Sequence, residues 1–265
     1  LVIAPVSSAI IERSGSYSGL CAIVIFFCAM MIVSLLFHFL IVERKTQPVQ
    51  DDKSEEDKFN FKVVLELLRN PNMYFVIIIG WLTCLPYDLN TYVQPILASE
   101  FGASQGLVAM VAAYANNGTA LIMAPLAGII AAKLGSTAKV MVLSMALAIV
   151  STGALLLTPW SPSYLILAVV IVLALRCVFS VGKPARNSMI GESRLPKRAR
   201  GTVIGLMFAA NNLISTAVTL LSGKLVTRYG VAEGYRFIYA GALILFVVGL
   251  GVSLIFTKRL KKAKE

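Results

Sequence analysis

Long apolar runs separated by short polar breaks fill nearly the whole chain. Span A covers Leu1 to Arg13, B runs from about Gly19 to Val42, C from Met73 to Ser99 and D from Ser104 to Lys133. E follows from Ala138 to Thr158, F from Ser163 to about Ile190, G from Thr202 to Thr227 and H from Phe237 to Thr257. All but A reach the roughly 20 residues that a helix needs to cross the hydrocarbon core of a bilayer. Runs of this kind become helices because lipid offers no water to the backbone N–H and C=O groups. Span A reads as the second half of a spanning helix, so the sequence reads as a piece of a longer chain.

Between B and C the pattern changes. The stretch QPVQDDKSEEDK is polar, of mixed charge, and reads as a solvated linker. Behind it Phe59, Phe61, Val63, Val64, Leu67 and Leu68 interleave with Lys62, Glu66 and Arg69, the pattern of a short amphipathic helix lying on the inner membrane surface. A spacer between two bundles is the plainer reading of that helix; a partner-binding segment is the alternative. The expected organisation is therefore all-α: residues 1–42 belonging to one bundle, 43–72 a cytoplasmic linker, and 73–265 a six-helix transmembrane bundle.

One stretch is written twice. YANNGTALIMAPLAGIIAAKLG, from Tyr114 to Gly135, returns more loosely from Phe208 to Gly230 as FAANNLISTAVTLLSGKLVTRYG. At an offset of 95 residues Asn116 meets Asn211, Asn117 meets Asn212, Gly128 meets Gly223, Lys133 meets Arg228 and Gly135 meets Gly230. A fainter echo places Pro5, Arg13 and Gly15 120 residues before Pro125, Lys133 and Gly135. Each copy is an apolar helix ending in a basic residue and, two places on, a glycine. With D and G crossing in opposite senses, the pattern predicts inverted triplets, C-D-E against F-G-H, an arrangement typical of secondary transporters.

Composition agrees. The chain is 58% hydrophobic and 14% charged, with a mean hydropathy of +0.81, far from the quarter of charged residues in a soluble domain. The 24 Lys and Arg against 13 Asp and Glu punctuate the apolar runs and do not tile a surface, which argues for membrane topology and against nucleic acid. Basic clusters follow B, D, F and H, whereas the C–D and E–F breaks, EFGAS and PWSPS, carry no Lys or Arg. The positive-inside rule then puts the linker and the C-terminal tail in the cytoplasm, with Lys224, Arg228 and Arg236 as the exception on the outer side. Cys21, Cys28, Cys84 and Cys177 lie inside apolar runs and read as packing residues; no metal spacing and no cofactor motif is present.

With these elements assembled, the chain resembles the major facilitator superfamily: six helices after a long linker, two before it, and the ending GIIAAKLGSTAK after D. Gly128, Lys133 and Gly135 match the family's loop signature, while Ala132 stands at its acidic position and Ser136 at a basic one. ESRLPKRARGTVIG, with Pro196, Gly201 and Gly205, is similar to the junction of the tenth and eleventh helices, and GYRF at Gly234 to the start of the last. The resemblance implies that A and B are the fifth and sixth of twelve helices and that C to H complete the second bundle. It also implies alternating access, by rocking against an N-terminal bundle of the same protein, in a cell (inner) membrane.

Ionisable groups inside a span cost several kcal/mol and mark candidate sites. Span F holds Arg176 near its centre, Lys183 two turns on along nearly the same face, and Arg186 and Asn187 beyond, around an expected kink at Gly182 and Pro184. This cationic ladder suits a carboxylate, phosphate or sulfonate, since an Arg fork donates two parallel hydrogen bonds. The alternative is that Arg176 pairs with a carboxylate on another helix while Lys183 and Arg186 snorkel. In span C, PYDLNTYVQP offers Tyr87, Asn90, Tyr92 and Gln94 as substrate contacts and Asp88 as a proton carrier, with Pro86 and Pro95 able to break the helix. Asn116 and Asn117 in D, with Tyr114, and Asn211 and Asn212 in G are either interhelical glue or substrate contacts. His38 and Glu192 read as interfacial, and the glycines of D, G and H as packing positions.

The expectation is a secondary transporter of a small polar solute, most simply an organic anion, with proton coupling through Asp88. Efflux of apolar compounds would want fewer cations and more aromatics. A membrane enzyme would want clustered His, Asp or Glu at one face, and a channel would want a pore ring built by oligomerisation.

Overall fold

The computed structural model of the chain describes residues 16–42, 67, 69–193, 195 and 200–262. It divides into Leu1–Phe59 and Asn60–Glu265. In the first unit α1, Ser16–Val42, covers span B with 27 residues, and Ile25, Met31 and Phe37 on it are exposed. Span A and the polar linker lie outside the described residues. So does most of the expected amphipathic helix, of which Leu67 is seen buried in a cluster with Met73 and Val76.

The second unit is a bundle of six helices, each long and apolar enough to cross a membrane. Span C is α2, Pro71–Ser99. Span D is α3, Gln105–Ala113, a π-helical turn at Tyr114–Gly118, and α4, Thr119–Leu134. Span E is α5, Thr137–Leu157; F is α6, Leu165–Glu192, behind a 3₁₀ turn at Pro162–Tyr164. G is α7, Arg200–Tyr229, and H is α8, Val231–Lys262.

Local chemistry sets the ends. Pro71 opens α2, where its missing N–H costs nothing, and the Asn72 N–H donates to the Asn70 side chain at 3.0 Å. Ser104 caps α3 by accepting the Leu107 N–H at 3.3 Å. Span D and span G both stop on a glycine in the left-handed region, Gly135 with φ of 67° and Gly230 with φ of 82°. Each folds its N–H back onto the fourth residue before it, Ala131 and Val226.

Helix packing reproduces the triplet symmetry. α6 lies against α2, α4 and α5, and α8 against α2, α5 and α7. Exchanging C-D-E for F-G-H turns the α5–α6 contact into α8–α2, α4–α6 into α7–α2, and α4–α5 into α7–α8. Within the apolar stretch of each span, 56% of α2 and of the α6 span is buried but only 11% of α7, so α2 and α6 are the inner pair. They meet at Gly182, where a Cβ would stand 2.5 Å from Thr83 Cγ2.

Some expectations change. α2 runs unbroken through Pro86 and Pro95, so span C is not interrupted there. In a closely packed helix, neighbours hold the chain where a ring removes one N–H. GYRF lies inside α8, which begins at Val231, and Lys224 and Arg236 sit on helices with Gly230 alone between them. Gly128, Gly205 and Gly223 meet nothing within 4 Å of a Cβ and pack no neighbour closely; Gly234 and Gly249 on α8 do, against Val226 and Leu82.

Candidate functional site: a caged arginine

Arg176 is a central residue of α6 and only 3% exposed, so its guanidinium does not face lipid. A π turn lies opposite it. There the Thr119 N–H reaches back to the Tyr114 carbonyl, five residues away, in place of Ala115. The Ala115 carbonyl is taken by the Thr119 hydroxyl at 2.7 Å and by Arg176 Nε at 2.9 Å. Such single π turns recur at functional sites because they release a backbone group.

A second donor of the guanidinium, Nη2, reaches Asn116 Oδ1 at 2.6 Å, and Asn90 Nδ2 donates to the same oxygen at 3.4 Å. The Tyr87 ring lies 4.3 Å and the Phe179 ring 4.8 Å from the guanidinium carbon. These contacts hold the plane of the charge by cation–π attraction. Helix geometry explains the convergence: Tyr87 and Asn90 are one turn apart on α2, as are Arg176 and Phe179 on α6. The Thr119 and Ser180 hydroxyls, 3.1 Å apart, tie α4 to α6 beside this group.

Among the described residues every polar partner of Arg176 is neutral. Among the described residues no carboxylate lies within ion-pairing distance of Arg176, Lys183 or Arg186, and the one ion pair there is Arg236 with Glu233 at 3.3 Å. Arg176 Nη1 is buried without a hydrogen-bond partner. The expected alternative, a structural ion pair for Arg176, is thus not formed among these residues. A buried cation with neutral acceptors keeps most of its desolvation cost, which an entering anion would offset.

The rest of the ladder is arranged differently. Lys183 is exposed, with Nζ 5.9 Å from the Phe179 ring. Arg186 is 2% exposed and does not snorkel: Nη1 donates to Cys84 Sγ at 2.6 Å, its guanidinium lies 5.2 Å from the Phe208 ring, and Nε has no partner. Asn187 is exposed. Asp88 lies beside Ser215 of α7, with Oδ2 buried and unpartnered.

Of the other sequence candidates, Tyr87, Asn90 and Asn116 join Arg176 directly. Tyr92 packs on Tyr235 at 5.6 Å, away from that cluster, and Gln94, Tyr114 and Asn117 are exposed. Asn211 has a buried Oδ1 without a partner; Asn212 is exposed. Neither reaches Arg176 by a hydrogen bond. Sequence reasoning missed Phe179, Phe208, Ser215 and the Ala115 carbonyl. An aromatic three residues after a lone intramembrane Arg was the available signal for Phe179; nothing in the sequence flags the carbonyl.

Glu192 also has a defined job. It accepts the Ser136 hydroxyl at 2.7 Å, the Thr137 N–H at 2.8 Å and the Ala138 N–H at 3.5 Å, and so caps the first turn of α5 from the end of α6.

A bundle of six spanning helices in two exchangeable triplets, with an uncompensated cation between the inner pair, defines a polytopic membrane protein of the solute-transporter class. A model described as Major Facilitator Superfamily matches residues 76–265, and the chain belongs to that family of membrane transporters. No curated protein matches the chain.

Proposed function

We propose that the chain carries an organic anion across the membrane by alternating access, with the anion held at Arg176. The observation that carries this reading is the caged guanidinium: buried, braced by the Ala115 carbonyl, Asn116, Tyr87 and Phe179, and, among the described residues, without a carboxylate partner and with Nη1 unbonded. A carboxylate or sulfonate on the substrate supplies the missing charge, and the flanking rings favour a substrate whose body is planar or apolar. Lys183, exposed two turns along the same helix, extends the attraction toward the basic end of the bundle. A second bundle of the same protein closes the other side of the site, and the Lys- and Arg-rich helix ends face the cytoplasm.

The test is uptake of organic anions by the full-length protein in liposomes. Arg176→Ala lowers uptake at least ~30-fold, on the scale of 2 kcal/mol or more for truncating one partner of a buried charged contact. Unchanged uptake sinks the site.

Proton coupling is proposed through Asp88. It is the only carboxylate in the interior of a described spanning helix, since Glu192 and Glu233 lie at helix ends. Asp88→Asn retains exchange of labelled for unlabelled substrate and loses accumulation driven by a pH gradient. A variant that still accumulates substrate assigns coupling elsewhere.

A further inference from the structure

We propose that the basic end of the bundle holds a second, separate site that binds a phosphate group. A cavity of about 340 Å³ lies between the start of α5 and the last turns of α8, lined among others by Ser136, Lys139, Glu192, Thr257, Lys258 and Lys261. Three ammonium groups and one carboxylate line this space.

That carboxylate is already spent. Glu192 takes its three donors from Ser136, Thr137 and Ala138, and among the described residues no lysine is within ion-pairing distance of it. Lys139 gives one hydrogen bond to the Leu134 carbonyl at 3.0 Å, which leaves the charge of its ammonium uncompensated. The hydroxyl protons are committed too, Ser136 to Glu192 and Thr257 to the Ser253 carbonyl at 2.8 Å. What the cavity offers a visitor is therefore an excess of positive charge, three ammonium groups against one carboxylate whose hydrogen bonds come from neutral donors.

Its depth narrows the ligand. α5 begins at Thr137 and continues as an apolar span, and the basic run of α8 begins only at Lys258. The cavity thus sits where both helices leave the hydrocarbon, the level of the phosphate layer of a bilayer. Lysines on flexible stems receive phosphate as adaptable point charges. Basic pockets between spanning helices at this level suit anionic headgroups. The ligand chemistry is a phosphate ester, supplied either by an anionic glycerophospholipid or by a soluble compound.

Full-length protein in neutral detergent is titrated with phosphatidylglycerol, with phosphatidylcholine as control, and separately with glycerol 3-phosphate, following the thermal midpoint. Saturable stabilisation by phosphatidylglycerol but not by phosphatidylcholine identifies the headgroup, and saturable stabilisation by glycerol 3-phosphate identifies a soluble ester; either result supports the site. K258Q/K261Q then weakens the apparent affinity on the order of 30-fold, K258R/K261R keeps it, and Arg176→Ala leaves it unchanged. If K258Q/K261Q does not fold, Lys139→Gln carries the test with a several-fold loss. The proposal is overturned if neither probe gives saturable stabilisation, or if the Gln variants bind as the wild type does.

Discussion

Asn116 and Asn211 occupy matching places in the two copies of the repeated stretch, yet their surroundings have nothing in common. Asn116 sits in a π turn and accepts hydrogen bonds from Arg176 and Asn90, whereas Asn211 lies in an uninterrupted α-helix with its Oδ1 buried and unpartnered. The difference starts across the bundle. Ninety-five residues before Arg176 stands Trp81, so the matching place on α2, which faces α7, holds no cation for the amide to bond. The helix ends behave otherwise: Gly135 and Gly230 adopt the same left-handed cap and the same backward hydrogen bond. A repeat preserves what a residue does within its own helix and loses what it does through a partner.

This contrast can be broken by substitution. Asn116→Ala removes a charge-assisted bond to Arg176 and costs about 2 kcal/mol, read as a lower thermal midpoint and weaker anion binding. A midpoint equal to that of wild type would mean that Arg176 is held by the rings and Ala115 alone. Gly135→Ala and Gly230→Ala each force a Cβ into the left-handed region and cost about 1 kcal/mol, nearly the same for both. Unequal losses would deny that the caps are equivalent. Asn211→Ala removes a buried oxygen that bonds to nothing, so stability stays within about 0.5 kcal/mol of wild type or rises slightly. A loss as large as that of Asn116→Ala would show that Asn211 has a partner in the assembled transporter.

Span positions and the basic–glycine helix endings were legible in the sequence because they follow from length, apolarity and the freedom of glycine, all properties of single residues. Arg176 was legible for the same reason, as a charge no lipid-facing position would keep. The π turn was not: YANNG shares Ala-Asn-Asn with its α-helical counterpart AANNL and differs at Tyr114 against Ala209 and Gly118 against Leu213, and neither stretch shows what lies opposite it. Pro86 and Pro95 suggested an interruption, but α2 continues through both; at the buried Pro86, enclosure by neighbouring helices overrides the local preference of a ring without an N–H. Glu192 was legible as a charge at a helix end, but its capping of α5 was not, because its donors, Ser136 to Ala138, are more than fifty residues away in the chain.

The Glu192 contact bears on how the bundle can move. A side chain anchored at one helix end and gripped by the opening turn of another acts as a rivet, and a slide of α6 along its axis by a single residue, about 1.5 Å, would pull it free of three donors at once. At that end α5 and α6 therefore travel together. Under the proposed alternating access, a rearrangement that exposes Arg176 first to one side of the membrane and then to the other keeps this junction intact.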